Sequence, residues 1–458
     1  MTKPIRRSIT MPDGWGGLDT EVLDEVCAKA LAEHSCPSVS IGVAEGDELV
    51  LARAYGLADI AADRPATTRT AYGLASVTKA FTATAVCLAA DDGLLDLDAP
   101  IPGTFAGTAP TVRQVLQHRG GFPAFYNFHY GPGPLPIDIG DYRALVREPG
   151  TDFEYSNIGY AALGSLLESV TGRRLGDLLR ERIFEPLGLR SFGYGPAYDG
   201  PAPVAQRYSA GGRPYPTCFS AHSAAGAGWA SAGDVALFAR RSAGLLTPAT
   251  AAAGYDAVAI SEHLGYGFGR IVSRGAGPLI RSHGGGMGGI AAMMIEVPER
   301  DLSVAVLANS TSKAARDAVV NHLMAVLAPG FRAEQVNPMT EQVRPMALAA
   351  GEWAGEISTV EGDIPLRITV LPEGRVEIAL DGAPAVTAPA GASQRWDLRV
   401  SAPLQLPTAD ARLNSPHLAL ELRTDQGGLV GRAVAFKDGD QEGLLGAYLV
   451  HPCVLHSR

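Results

Sequence analysis

The chain has 458 residues, 46% hydrophobic, 19% charged and 7% aromatic, the make-up of a globular protein with one large and one smaller domain. No apolar run reaches the ~20 residues that a membrane-spanning helix needs, and a formal charge of −10 without a basic cluster argues against nucleic acid and anionic lipid as partners. The cysteines, Cys27, Cys36, Cys87, Cys218 and Cys453, form no C-x-x-C pair, so no disulfide framework and no metal site is expected.

Along the chain, MTKPIRRSITMPDGWGG carries two arginines but no apolar stretch and no small-residue cleavage site, so a cytoplasmic location is expected. An amphipathic helix is predicted over 18–34. A β-hairpin follows in SVSIGVAEGDELVLARAYG, whose two apolar runs meet across an E-G-D turn. The Ala-rich run after Ser76 predicts a helix to about residue 90, where DDGLLDLDAP supplies a C-terminal glycine and then a proline. Further helices are predicted over 112–118 and 160–171. From about residue 264 the period changes to that of antiparallel strands, in YGFGRIVS and GGIAAMMIEVPERDLSVAVLANS, before a last helix in KAARDAVVNHLMAVLA.

Strands at both ends with helices between predict an α+β body: an antiparallel sheet flanked by helices, completed by the returning chain, with an all-helical subdomain inserted. This first domain is placed at 1–335. The polar, proline-punctuated stretch around 336–346 reads as a linker. Alternating apolar and polar residues with glycine turns over 347–458 predict a small all-β barrel or sandwich.

The chemistry-bearing residues begin with a lysine. Lys79 is the only lysine between Lys29 and Lys313, in a span whose other cations are all arginines. Arginine holds its charge at any working pH, whereas lysine can release its proton when buried. On a helix, positions three apart share a face, so Ser76 and Lys79 suit a nucleophile and its base. Downstream, FEYSNIGY supplies Tyr155 and Asn157, and RSHGGGMGG supplies His283, Gly284, Gly285 and Gly286. Each has a plain structural reading: packed aromatic, helix N-cap, turn histidine, turn glycines.

Ser-x-x-Lys, Tyr-x-Asn and His-Gly-Gly, in this order, together resemble the three active-site motifs of the serine β-lactamase and penicillin-binding-protein superfamily, and within it the class C β-lactamase-like branch. LQHRGGFP at 116–123 and AGAGWASAGDVALFAR at 225–240 resemble further segments of that branch. The resemblance implies Ser76 as nucleophile, Lys79 and Tyr155 as its proton-handling partners, and Asn157, His283, Gly284, Gly285 and Gly286 as substrate-binding residues. Gly286 N–H and Ser76 N–H would form the oxyanion hole, and no cofactor is needed. His283-Gly284-Gly285 stands where β-lactamases of the branch usually carry Lys-Thr-Gly, which favours a substrate without a carboxylate. The C-terminal domain is similar to lipocalin-like domains appended to such hydrolases, where it either covers the cleft or stabilises a homo-oligomer.

The expected function is therefore a serine hydrolase acting on an ester or amide of a small molecule or peptide, including D-amino-acid-containing ones. Two alternatives stand beside it. One is a penicillin-binding-protein-type thioesterase or acyltransferase that releases or cyclises a nonribosomal peptide. The other is a slow-acylating peptide-binding protein.

Overall fold

The computed structural model describes residues 18–105, 107–131, 138–142, 144–337, 343–440 and 442–458. The N-terminal stretch read for its location and the middle of the expected linker, 338–342, lie outside the described residues. The chain divides into two compact units: Met1–Phe122, Arg147–Pro338 and Asp440–Leu444 form the first, and Pro123–Val146, Met339–Gly439 and Leu445–Arg458 the second. Pro123–Val146, inside the stretch predicted as the first domain, is gathered with the second unit.

In the first unit, helix α1 (Thr20–Glu33) starts at Asp19, whose carboxylate accepts from Glu21 N–H at 2.8 Å and so satisfies one of the open donors of the first turn. Strands β1 (Ser38–Glu45) and β2 (Glu48–Asp59) form the predicted hairpin, with β3 (Arg64–Pro65) beyond. The chain rejoins the sheet through β4 (Val258–Ala259), β5 (Leu264–Tyr266), β6 (Ile271–Ser273), β7 (Arg281–Met287), β8 (Ile290–Val297) and β9 (Leu302–Ala308). The order across the nine-stranded sheet is β3-β2-β1-β9-β8-β7-β6-β5-β4. Strands β1 and β9 pair antiparallel from Val39↔Ala308 to Glu45↔Leu302, so the returning chain completes the sheet.

One sheet face buries α1 and the last helix of the unit, α5 (Ala314–Leu327): Leu23, Cys27, Val319 and Leu323 share a core with Val39, Ile41, Val43, Ile295 and Val306. Each such side chain contributes on the order of 1.5–3 kcal/mol by leaving water. The opposite face receives α4 (Ala232–Arg241). There a side chain at Gly42 would put its first carbon 2.4 Å from the Ala232 carbonyl oxygen, so this approach of helix to strand requires glycine.

Between the two parts of the sheet lie α2 (Thr78–Asp91) and α3 (Asn157–Thr171) with shorter helical turns. Helix α2 is buried from Thr78 to Ala89. Phe81 on it meets Phe184 and Phe238 edge-on, with ring centroids 4.9 and 4.5 Å away. A charged side chain is seldom fully buried without an ionic partner, which makes a lysine at position 79 conspicuous.

The second unit is a closed eight-stranded barrel: β10 (Gly351–Thr359), β11 (Gly362–Leu371), β12 (Arg375–Leu380), β13 (Val386–Gly391), β14 (Leu398–Ala402), β15 (His417–Asp425), β16 (Gly428–Phe436) and β17 (Tyr448–Ser457). Strand β17 closes it on β10, from Trp353↔Ser457 to Ile357↔Cys453. Burial alternates along β11, with Ile364, Leu366, Ile368 and Val370 inside and Pro365 and Arg367 outside, the two-residue period that the sequence showed. Closure removes the exposed edges that an open sheet would present.

Candidate active site

Ser76 lies on a three-residue 3-10 turn, Ala75–Val77, that leads straight into α2. The turn is tight. Ala75 has φ +45°, a left-handed conformation that costs a non-glycine residue about 1–2 kcal/mol. Ser76 is half-buried, whereas Lys79, three residues on, is fully buried.

The Lys79 amine is held at three points. Its Nζ stands 3.3 Å from Ser76 Oγ, 2.6 Å from Asn157 Oδ1 and 3.1 Å from the Ala225 carbonyl oxygen. Among the described residues no carboxylate contacts it, and burial holds its pKa well below the usual 10.5. A neutral amine has two N–H groups and one lone pair. With Asn157 and Ala225 accepting the two hydrogens, the lone pair is left for the Ser76 hydroxyl.

Each partner has its own local cause. Ser156, not Asn157, caps helix α3: its Oγ accepts from Gly159 N–H at 3.3 Å, which leaves the Asn157 amide for Lys79. The 224–228 segment is pinned to α2 by Thr82 Oγ1 donating to Ala224 O at 2.7 Å and by Gly228 N–H donating to Thr78 Oγ1 at 2.9 Å. That fixes the Ala225 carbonyl over the amine. Tyr155, two residues before Asn157, sets its ring centroid 4.6 Å from Lys79 Nζ.

Strand β7 carries the glycine motif and pairs with β6 only at Arg281 and Ser282. Backbone groups alternate sides along a strand, and Ile280 accepts from Ser273 N–H on the β6 side. By the same parity Gly284 and Gly286 point their N–H and C=O groups to that side, which is open beyond Ser282. Gly286 is exposed there. At Gly285 a first side-chain carbon would lie 2.1 Å from the Leu74 carbonyl oxygen, so only glycine lets β7 lie against the turn that bears Ser76.

His283 packs beside the Tyr155 ring and bonds to its neighbour in the motif and to β5. Its Nδ1 bonds to the Gly284 carbonyl at 2.8 Å, so Nε2 accepts from the Tyr266 hydroxyl at 3.0 Å. The His283 and Tyr155 ring centroids are 6.3 Å apart. Burial, and secondarily Lys79, pushes the imidazole pKa down to about 3, so His283 is neutral.

His118 holds the Tyr155 loop, a role that no local pattern in the sequence assigns to it. Its carbonyl accepts from Glu154 N–H at 2.8 Å and its Nδ1 accepts from Ser156 N–H at 3.0 Å, so one residue grips the loop on both sides of Tyr155. The imidazole also packs 4.3 Å from the Tyr155 ring, centroid to centroid. Burial, then Lys79, holds it well below its ordinary pKa, which keeps Nδ1 an acceptor. The signal was present in LQHRGGFP, but nothing local shows that this histidine meets a loop 38 residues on. The Ala225 carbonyl and Tyr266 were likewise invisible without the fold.

An antiparallel sheet with an inserted helical region, a serine and a buried lysine one helical turn apart, and a glycine strand against the serine define a class of serine hydrolases. The chain belongs to the Beta-lactamase family, which matches residues 23–328. It is similar to the D-aminopeptidase of Cereibacter sphaeroides, 31% identical over 191 residues, or 38% of this chain and 36% of that protein. The matched stretch thus spans about a third of that relative's length. Among solved structures it resembles SurE with D-Leu, with a TM-score of 0.66 and 24% identity over 94% of this chain and 99% of the other. It also resembles the D-amino acid amidase from Ochrobactrum anthropi SV3 complexed with L-phenylalanine, with a TM-score of 0.58 and 23% identity over 67% of this chain and 99% of that one. Both are likenesses of fold.

Proposed function

We propose that the protein hydrolyses a small amide or ester through an acyl-enzyme on Ser76, with neutral Lys79 as the base. The observation that carries this reading is the buried amine 3.3 Å from the Ser76 hydroxyl, with its other two contacts made by acceptors. As the Ser76 oxygen bonds to the substrate carbonyl carbon, its proton passes to Lys79. The oxyanion rests between Ser76 N–H and Gly286 N–H, fixed donors that contribute on the order of 3–4 kcal/mol. The leaving group departs with a proton delivered from Lys79 through the Tyr155 hydroxyl. Water then attacks the acyl-enzyme, the acid leaves and the serine is restored.

D-amino acids recur in the names of the similar proteins, which supports a D-residue on the acyl side. An amine arriving before water takes the acyl group instead, which is the transferase form of the same chemistry. The test is intact mass spectrometry after incubation with a fluorophosphonate, together with assay of D- and L-amino-acid amides and p-nitrophenyl esters. The expected result is one covalent adduct, absent from Ser76→Ala, and faster turnover of the D-series. An adduct that persists in Ser76→Ala contradicts the assignment. Added amine acceptors sort hydrolysis from transfer by product, free acid against new amide.

A further inference from the structure

The glycine motif lacks the lysine of the Lys-Thr-Gly pattern, but a lysine from elsewhere in the chain reaches the same strand. A first side-chain carbon built on Gly286 would stand 2.7 Å from Lys313 Cε and 3.1 Å from Lys313 Nζ. Lys313 is exposed and makes no hydrogen bond or ion pair among the described residues. The next cation behind it, Arg316, is already matched: its Nε donates to Asp317 at 2.9 Å and its Nη1 to the Ala292 carbonyl at 3.0 Å. His283 is neutral and Lys79 is pushed toward neutrality. Lys313 is therefore a cation with no hydrogen-bond or ion-pair partner among the described residues at the open end of β7, its pKa lowered by burial and by Arg316 and only partly restored by Asp317, which Arg316 already engages.

Stability does not explain the placement. Lys313 is the N-cap of α5 and caps nothing with its side chain; that position favours Ser, Thr, Asn or Asp, and a cation there opposes the helix dipole. Only five lysines occur in the chain, and this one stands where folding disfavours it and beside a strand edge that is open.

We propose that Lys313 is a specificity-determining residue that binds a carboxylate on the substrate, within about one residue of the bond that is cut. The distance sets that limit: the ammonium lies beside Gly286, whose N–H meets the scissile carbonyl in the function proposed above, and one residue step is about 3.8 Å. The inference rests on that reading. It also revises the expectation of an acid-free substrate, because the missing cation is supplied from the start of α5 instead of from the motif.

The experiment is competition against fluorophosphonate labelling of Ser76, read by intact mass. The competitors are N-acetyl dipeptides that differ only in ending as a free carboxylate or a carboxamide, in D and L series. In the wild type the acid protects at about tenfold lower concentration than the amide, the worth of one charge-assisted contact at a partly exposed site. Lys313→Met brings the two curves together and Lys313→Arg keeps them apart. Melting temperature separates binding from folding: with no bond of Lys313 used by the fold, Lys313→Met melts at or above the wild-type temperature. Equal protection by acid and amide, protection by neither, or a preference that survives in Lys313→Met overturns the proposal. Failure of the wild type to label at all defeats the serine-nucleophile reading itself, and this inference with it, so the two failures are distinct.

Discussion

A lysine with no exposed surface carries the chemistry assigned to this site, and its environment predicts measurable consequences. Burial lowers the Lys79 pKa from 10.5, so between the lowered value and 10.5 the unfolded chain binds a proton that the native state does not. Stability therefore rises with pH across that window. Lys79→Met removes the titrating amine, although it also leaves the Asn157 and Ala225 acceptors unpaired, so the difference in melting temperature, variant minus wild type, should fall as the pH rises across that window. Scanning calorimetry at several pH values checks this; a difference that does not change with pH contradicts it. Lys79→Arg should lose activity by about a thousandfold or more, because a guanidinium keeps its proton, and steady-state assay of the folded variant reads this directly. Ser-x-x-Lys and the scarcity of lysine made both residues visible in the sequence. The three contacts of the amine were not visible, since two of them come from Asn157 and Ala225, 78 and 146 residues away.

Among the elements, the loop that bears Tyr155 depends on His118. This histidine combines a left-handed backbone, φ +56°, with an acceptor for Ser156 N–H. Asparagine tolerates that backbone and also offers an acceptor at short reach, while alanine offers neither. His118→Ala is expected to lower kcat by about tenfold to a hundredfold as Tyr155 loses its position, and His118→Asn to recover most of it. If both variants retain wild-type kcat, the loop does not need the clamp. Element by element, the hairpin of β1 and β2, the strands from 264 onward and α5 followed from period and turn residues. The α2 helix begins at Thr78, because Ser76 belongs to the strained turn before it, and α3 begins at Asn157. Such shifts are decided by which residue finds a capping partner, as Ser156 does, and that is settled by packing.

At the scale of the whole chain, alternation over 347–458 made the barrel legible, but the membership of Pro123–Val146 in the second unit was not. Tyr126 exchanges backbone hydrogen bonds with Tyr448 at 2.9 and 2.8 Å, and the Tyr130 hydroxyl accepts from Leu445 N–H at 2.9 Å. These pairings join residues more than 300 positions apart, beyond any local pattern. Phe125, Phe128 and Tyr142 are buried in this unit. A chain ending after Pro338 would leave them without their partners, so it should self-associate or melt well below the full-length protein. Size-exclusion chromatography and thermal melting check that expectation, and a monomeric truncation with unchanged melting would contradict it.

The claim on which the rest depends is that Lys79 is uncharged when Ser76 attacks. The most direct measurement is the rate at which a neutral fluorophosphonate labels Ser76 as a function of pH. The base works only when deprotonated, so the rate should climb as pH rises through the Lys79 pKa. This climb is expected well below 10.5 in the wild type and is expected to disappear in Lys79→Met. A climb centred near 10.5, or wild-type labelling in Lys79→Met, would contradict it.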